Sequence, residues 1–171
     1  MSKIENKKSN WRVWLRDTVI VAVIISAVSL WQSRNMLSSD GSIHIPQQNL
    51  VSLTGKVEPM LAENKPNLLY FFAPWCKICS LSIGNLTYLN PDSVNVVVIA
   101  LDYSSREEVE AFVIEHELNT RVFLGHEALK QQFKIQGYPS YYLVNEDQKI
   151  SSSVYGYSTA IGLKLREAFG H

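Results

Sequence analysis

Hydrophobic and polar positions divide the 171-residue chain into three stretches of different texture. Residues 18–33 (TVIVAVIISAVSLWQS) carry no charge and are almost wholly apolar as far as Trp31. Residues 35–50 (NMLSSDGSIHIPQQNL) are polar, contain Gly41 and Pro46, and are expected to form a tether. From Leu50 onward, short apolar runs alternate with amphipathic ones, as in a packed domain. Leu50–Thr54 alternates weakly and predicts a short first strand closed by Gly55. Leu68–Ala73 is continuously apolar, as a strand covered on both faces must be. A helix is expected from Cys76 to about Leu89, with Ile78, Leu81, Ile83, Leu86 and Leu89 apolar and Pro91 beyond its end. Val94–Leu101 (VNVVVIAL) is dominated by β-branched residues and predicts a second long strand. Ser104 and Ser105, each followed three residues later by Glu107 or Glu108, offer overlapping capping boxes for a helix to about Leu118. A short strand at Arg121–Leu124 and a short helix at Glu127–Phe133 come next. A hairpin of Ser140–Val144 and Ile150–Tyr155 and an amphipathic helix at Thr159–Phe169 complete the series. The order β-α-β-α, then β-β-α, predicts an α/β fold whose mixed sheet carries helices on both faces.

The apolar stretch near the N-terminus has membrane dimensions. From Val13 to Trp31 it counts 19 residues, about 28 Å at the helical rise, enough for a bilayer core. Arg16 and Asp17 would sit near one interface, and Trp11, Trp14 and Trp31 bracket the run as interfacial aromatics do. Lys3, Lys7, Lys8, Arg12 and Arg16 precede it against Glu5 and Asp17 alone. The positive-inside rule then places the N-terminus in the cytoplasm and the rest across the membrane. The expected plan is a basic cytoplasmic leader at 1–12, a transmembrane anchor at 13–33, a tether at 34–49 and a domain at 50–171. A cleaved signal peptide ending at Ala27-Val28-Ser29 is the competing plan; the bulky Leu30-Trp31 after that site favours the anchor.

Charge changes the picture only slightly. The formal net charge of zero combines a basic leader with an acidic remainder, eleven basic against fourteen acidic groups over residues 32–171. No cluster of Lys and Arg in that remainder suggests a nucleic-acid partner.

Chemistry concentrates in one place. Both cysteines of the chain, Cys76 and Cys79, lie two residues apart where a buried strand gives way to a helix. A Cys-x-x-Cys there can close a small disulfide ring and reopen it. A thiolate at the helix start is favoured by unpaired N–H groups, and Lys77 adds a positive charge. The pattern therefore points to thiol–disulfide exchange, with Cys76 as attacker and Cys79 as resolver. Structural zinc usually needs four Cys or His ligands, and His44, His116, His126 and His171 show no ligand spacing, so no metal and no cofactor are expected. A copper-binding or chaperone module using the two sulfurs as soft ligands is the non-catalytic alternative. Trp75 would shield the sulfurs and offer substrate a flat apolar contact; Pro74 would shape the turn into the helix.

Ala73-Pro74-Trp75-Cys76-Lys77-Ile78-Cys79 resembles the active-site signature of thioredoxin-fold proteins. Gly137-Tyr138-Pro139-Ser140 resembles the loop that carries their cis-proline, and Gly156 the glycine lining their substrate groove. The resemblance covers roughly residues 45–170, and the N-terminal anchor makes it closest to the exported TlpA/ResA-like branch. That branch includes proteins of cytochrome c maturation and of copper tolerance. The resemblance implies a thioredoxin-like domain in the periplasm, held to the bacterial inner membrane by a single span. It implies that Tyr138 and a cis Pro139 pair with an extended substrate segment beside the cysteines. Its substrates would be exported proteins bearing disulfides or thiols, and a membrane electron donor of DsbD type would recharge it. A reductase or isomerase is expected, with a thiol oxidase as the alternative. Two departures stand out: Tyr70 replaces the buried aspartate of thioredoxin, and Ser80–Leu89 lacks the glutamate of cytochrome-maturation relatives.

Overall fold

The computed structural model describes residues 11–33 and 35–169. Most of the expected basic leader lies outside the described residues, as do the side chains of Arg12 and Trp31. The chain divides into two units with the boundary after Arg34.

The first unit is a single helix, α1 (Trp11–Ser33), of 23 residues. Arg16 and Asp17 pair at 3.0 Å in its second turn, and the Thr18 hydroxyl donates to the Trp14 carbonyl at 2.8 Å. Among the described residues no helix is long and apolar enough to cross a membrane.

The second unit is built on a seven-stranded sheet. Its strands are β1 (Asn49–Ser52), β2 (Val57–Pro59), β3 (Asn67–Phe72), β4 (Asn95–Ala100), β5 (Val122–Leu124), β6 (Ser140–Val144) and β7 (Ile150–Tyr155). The spatial order is β2-β1-β5-β4-β3-β6-β7. Strands β3, β4 and β5 run parallel, while β6, β7, β1 and β2 join antiparallel. Helices α2 (Lys77–Ser82), α3 (Arg106–Glu115), α4 (Glu127–Gln132) and α5 (Ala160–Phe169) connect and cover them. The expected mixed α/β sheet is therefore present, and both strands of the last hairpin keep their expected bounds.

All six residues of β3 are buried, because aromatic layers close over both of its faces. On one side Phe72 meets Phe112 of α3 at 4.7 Å between ring centroids. Phe71, which alternation turns to the other side, meets Phe133 at 4.9 Å. The polar residue at the strand's start is satisfied rather than exposed. Asn67 accepts from the Ala62 N–H at 2.7 Å and donates to the Ala62 and Lys65 carbonyls.

Three local expectations change. The polar segment before the domain packs onto it instead of hanging free. Leu37 and Ile45 are buried, Ile45 N–H donates to the Gln148 carbonyl at 2.7 Å, and Gly41 and Ile43 bond the two polar groups of Ile150. Two apolar anchors among many polar residues were enough to fasten it. Strand β2 was not foreseen, since Glu58 and Pro59 weaken its strand signal; Gly55, at φ +84°, turns the chain back so that it pairs with β1. The long helix expected at Cys76–Leu89 ends as α2 at Ser82 and continues as a 3-10 turn over Ile83–Tyr88. Ser82 bonds back to the Cys79 carbonyl at 3.3 Å, and Gly84 with Asn85 favours no α-helix beyond it.

The packing of the front segment is testable. Ile45→Ala should destabilise the chain by about 2–5 kcal/mol in urea denaturation, the usual cost of emptying a buried isoleucine site. A free tether would lose less than about 0.5 kcal/mol.

Candidate active site

Strand β3 ends at Phe72, and the chain turns through Ala73, half-buried Pro74 and Trp75 before α2 begins. The Cys76 N–H closes this turn on the Ala73 carbonyl at 3.0 Å. Cys76 is the N-cap of α2, with extended backbone, and its Sγ accepts the Cys79 N–H at 3.2 Å. Although it is expected to attack substrate, Cys76 is only 7 % exposed. The reason is the loop before β6. The Tyr138–Pro139 peptide is cis, and the Tyr138 carbonyl lies 3.6 Å from Cys76 Sγ, which donates to it as a thiol. Cys76 thus keeps one contact that suits a sulfur acceptor and one that suits a thiol donor.

Cys79, one turn further on, is completely buried, and the two sulfurs are not bonded to each other in this structure. Burial, and then the bond to Cys76, push the Cys79 thiol well above the ordinary thiol range. The two cysteines therefore differ in kind: one caps the helix under the Tyr138 carbonyl, the other is a dry, protonated thiol behind it.

Around them the structure gathers most of the residues singled out from the sequence. Trp75 is 62 % exposed; its indole N–H donates to the Asp102 carbonyl at 2.8 Å, and its ring stands edge-on to Tyr138 at 5.9 Å. Its exposed ring forms an apolar wall beside Tyr138, whose carbonyl accepts from Cys76. The Gly156 N–H donates to the Pro139 carbonyl at 2.8 Å, and φ of +87° explains the glycine. Lys77 is exposed at the start of α2. Among the described residues no group of three or more His, Cys, Asp or Glu is arranged to hold a metal ion. A cavity of about 630 Å³ lies elsewhere, lined in part by Lys56, Glu58, Glu110 and Arg121, and includes no residue of this site.

Two groups of partners were not legible from motifs. One is Asp102, which holds a left-handed backbone at φ +49° and pairs with Lys130 at 2.6 Å while carrying the Trp75 indole. The other is a set of hydroxyls behind Cys79. The Tyr70 hydroxyl lies 3.3 Å from the Cys79 carbonyl and 3.0 Å from Ser82 Oγ, and the Tyr141 ring sits 4.9 Å from the Tyr70 ring. Tyr70 was noted as a departure; Ser82, three residues after Cys79, shares its helix face, which is the one sequence signal that pointed to it.

These buried groups set a pH limit. Burial first of all raises Tyr70, and raises Tyr141 to about 12. Ordinary values are 9.0 for the thiol and 10.0 for the phenols. Folded values above unfolded ones give stability that is full below pH 9 and lost as pH rises through that range, by up to about 1.4 kcal/mol per pH unit per group. Urea denaturation of the reduced protein should show the loss beginning near pH 9. In Cys79→Ser it should begin about one unit later, where only the phenols remain; identical profiles would show that the Cys79 thiol contributes nothing.

The comparisons with known proteins agree with this geometry. The AhpC/TSA family model matches residues 46–153, more than half of the chain. The thioredoxin-like protein YneN of Bacillus subtilis is 23 % identical over 142 residues, covering 78 % of this chain and 84 % of its own. A protein from Chlorobium tepidum assigned as the thiol:disulfide interchange protein DsbE superposes with a TM-score of 0.67 at 19 % identity, over 78 % of this chain and 98 % of its own. The exposed lipoprotein thioredoxin Etrx1 of Streptococcus pneumoniae superposes at 0.63 and 17 % identity, over 72 % and 99 %. The likeness to these structures establishes the thioredoxin-like fold. The chain belongs to the AhpC/TSA family, has the thioredoxin-like fold, and carries its Cys76–Cys79 pair at the head of α2.

Proposed function

We propose that the chain reduces or isomerises disulfides of exported proteins, from a domain held at the outer face of a bacterial inner membrane. The single observation that carries this is the pairing of unlike thiols, Cys76 at the helix cap under the Tyr138 carbonyl and Cys79 sealed behind it. Cys76 attacks a substrate disulfide as a thiolate and expels one substrate thiol. The Tyr138 backbone and the Trp75 wall hold the substrate segment on either side of the new mixed disulfide. Cys79 then attacks Cys76 Sγ, closes the intramolecular disulfide and releases the second substrate thiol. Two electrons pass to the substrate, and a membrane donor of DsbD type returns them.

Export and anchoring rest on the charge-free stretch at residues 18–33 and the basic residues before it. The exposed lipoprotein relative in Streptococcus supports the same placement. Fusion of alkaline phosphatase after His171 should give an active enzyme that fractionates with membranes. Soluble fusion protein beginning near Leu30 would mean that the N-terminal segment is cleaved.

The exchange steps separate by mutation. Cys76→Ser should abolish disulfide exchange, and Cys79→Ser should accumulate mixed disulfides through Cys76, visible on non-reducing gels.

Direction follows from redox poise. No His stands between the cysteines to hold a thiolate strongly, so the disulfide should be reducing, near thioredoxin's value of about −270 mV rather than DsbA's of about −120 mV. Equilibration with glutathione buffers measures it; a value more positive than about −180 mV would make the chain an oxidase.

A further inference from the structure

The Trp75 ring that would hold substrate is itself lightly held. It stands 62 % exposed, on a turn between β3 and α2. Two contacts steady it. One is the edge-on approach to Tyr138 at 5.9 Å. The other is the single hydrogen bond an indole can donate, here to the Asp102 carbonyl at 2.8 Å. An exposed side chain changes rotamer within nanoseconds unless its contacts are fixed. Whatever fixes Asp102 therefore fixes the wall.

Asp102 comes one residue after the Leu101 N–H makes its bond to the Phe72 carbonyl at 2.8 Å. There the backbone turns left-handed, at φ +49°, a conformation that an L-residue keeps where its surroundings impose it. One such constraint comes from α4. The Asp102 carboxylate accepts from Lys130 Nζ at 2.6 Å, and the lysine and aspartate side chains are only 27 % and 33 % exposed. Partly sheltered, this pair is screened by salt less than one in open water. Lys130 is not free to follow a moving partner. Leu129 beside it is completely buried. The Lys130 N–H donates to the His126 carbonyl at 3.1 Å, and the Lys130 carbonyl accepts from the Ile135 N–H at 2.9 Å. His126 caps the helix through Nδ1, which accepts the Leu129 N–H at 3.2 Å. Asp102 is thus tied to the sheet through its backbone and to a core-anchored helix through its side chain.

We propose that Lys130 is a positioning residue for polypeptide substrates: by holding the Asp102 carboxylate it fixes the carbonyl that carries the Trp75 indole. This deepens the proposed function and rests on it. The contacts of Cys76 Sγ are with the Cys79 N–H and the Tyr138 carbonyl, and neither Lys130 nor Asp102 is among them. Attack on sulfur is therefore common to large and small disulfides. Only a disulfide long enough to lie along Trp75 draws on Lys130. Any influence of the two charges on the Cys76 thiol acts on both kinds alike and cancels in the ratio of their rates.

The test uses the full chain in its reduced form and two disulfides. One is a short peptide, Ala-Phe-Cys-Phe-Ala, dimerised through its cysteine; the other is hydroxyethyl disulfide. The readout is the ratio of the two second-order rates of reaction at Cys76. Lys130→Met, which keeps the side chain's length and removes its charge, should lower the ratio about tenfold, within the range of residues that act through a neighbour. Asp102→Asn should lower it too, since asparagine accepts the left-handed backbone but loses the charge that holds Lys130. The double variant should fall no further than Lys130→Met alone, as two ends of one contact require. Lys130→Arg, which keeps the cation, should retain most of the wild-type ratio. A second measurement separates positioning from general loosening. In chain labelled with fluorotryptophan, the Trp75 fluorine signal is the one missing from Trp75→Phe. It should move toward that of fluorotryptophan in water in Lys130→Met and return in Lys130→Arg. A ratio changed less than about twofold, a fall in Lys130→Met with none in Asp102→Asn, or an unmoved Trp75 signal overturns the proposal. So does a wild-type ratio in Trp75→Ala, since the wall would then hold nothing. Wild-type chain inert to both disulfides would instead refute the exchange mechanism on which the proposal rests.

Discussion

Strand β3 must be covered on both faces and paired on both edges, and the rest of the domain arranges itself to satisfy it. After Asn67 its only side-chain polar atom is the buried Tyr70 hydroxyl, so exposure of either face would cost several buried aromatics. Parallel β4 and antiparallel β6 take its two edges with unbroken register, Phe72 opposite Ala100 and Phe71 opposite Ser140. A slip of one residue in either pairing would turn Phe71 and Phe72 to the wrong layers. This constraint also builds the active site. The carboxyl end of β3 feeds the cysteine turn, and the register with β6 fixes where that strand begins. Pro139 and Tyr138, immediately before Ser140, are thereby delivered to Cys76.

The chemistry follows from a steep gradient of environment across a few ångströms. Trp75 stands in solvent, Cys76 lies at the boundary, and Cys79 is dry. In the proposed exchange, the thiol at the boundary meets substrate and the thiol in the interior reacts within the molecule. Tyrosine and serine hydroxyls are the polar groups that such an interior tolerates most cheaply, because they bond one another and carry no charge.

Runs of apolar residues made the centre of the sheet legible. Strand β3, the hairpin β6–β7 and the position of the cysteines needed no information beyond spacing and residue type. What escaped were features decided by partners distant in sequence. The Leu37 N–H is held by the Tyr142 hydroxyl at 3.3 Å, and nothing near Leu37 announces that bond. Ser82 looked like one more helix residue until Tyr70 was seen across from it, and that contact accompanies the early end of α2. Gly156 was recognised by resemblance, while its bond to the Pro139 carbonyl came only with the fold. Strand β2 was hidden by Glu58 and Pro59, which are the residues expected of a strand that must end the sheet.

The two borders of the sheet are finished in opposite ways. On one side β2 is short and carries a proline and a charge, so it makes a poor template for another strand. On the other side β7 is six residues long and rich in serine, with few such deterrents. There the segment around Gly41–Ile45 occupies the backbone groups of Ile150 and forms a bridge between His44 and Lys149. The polar stretch ahead of the domain thus serves as a selvage. It keeps part of the outermost strand from zipping onto a neighbouring molecule, a hazard that grows when many copies are concentrated on one surface.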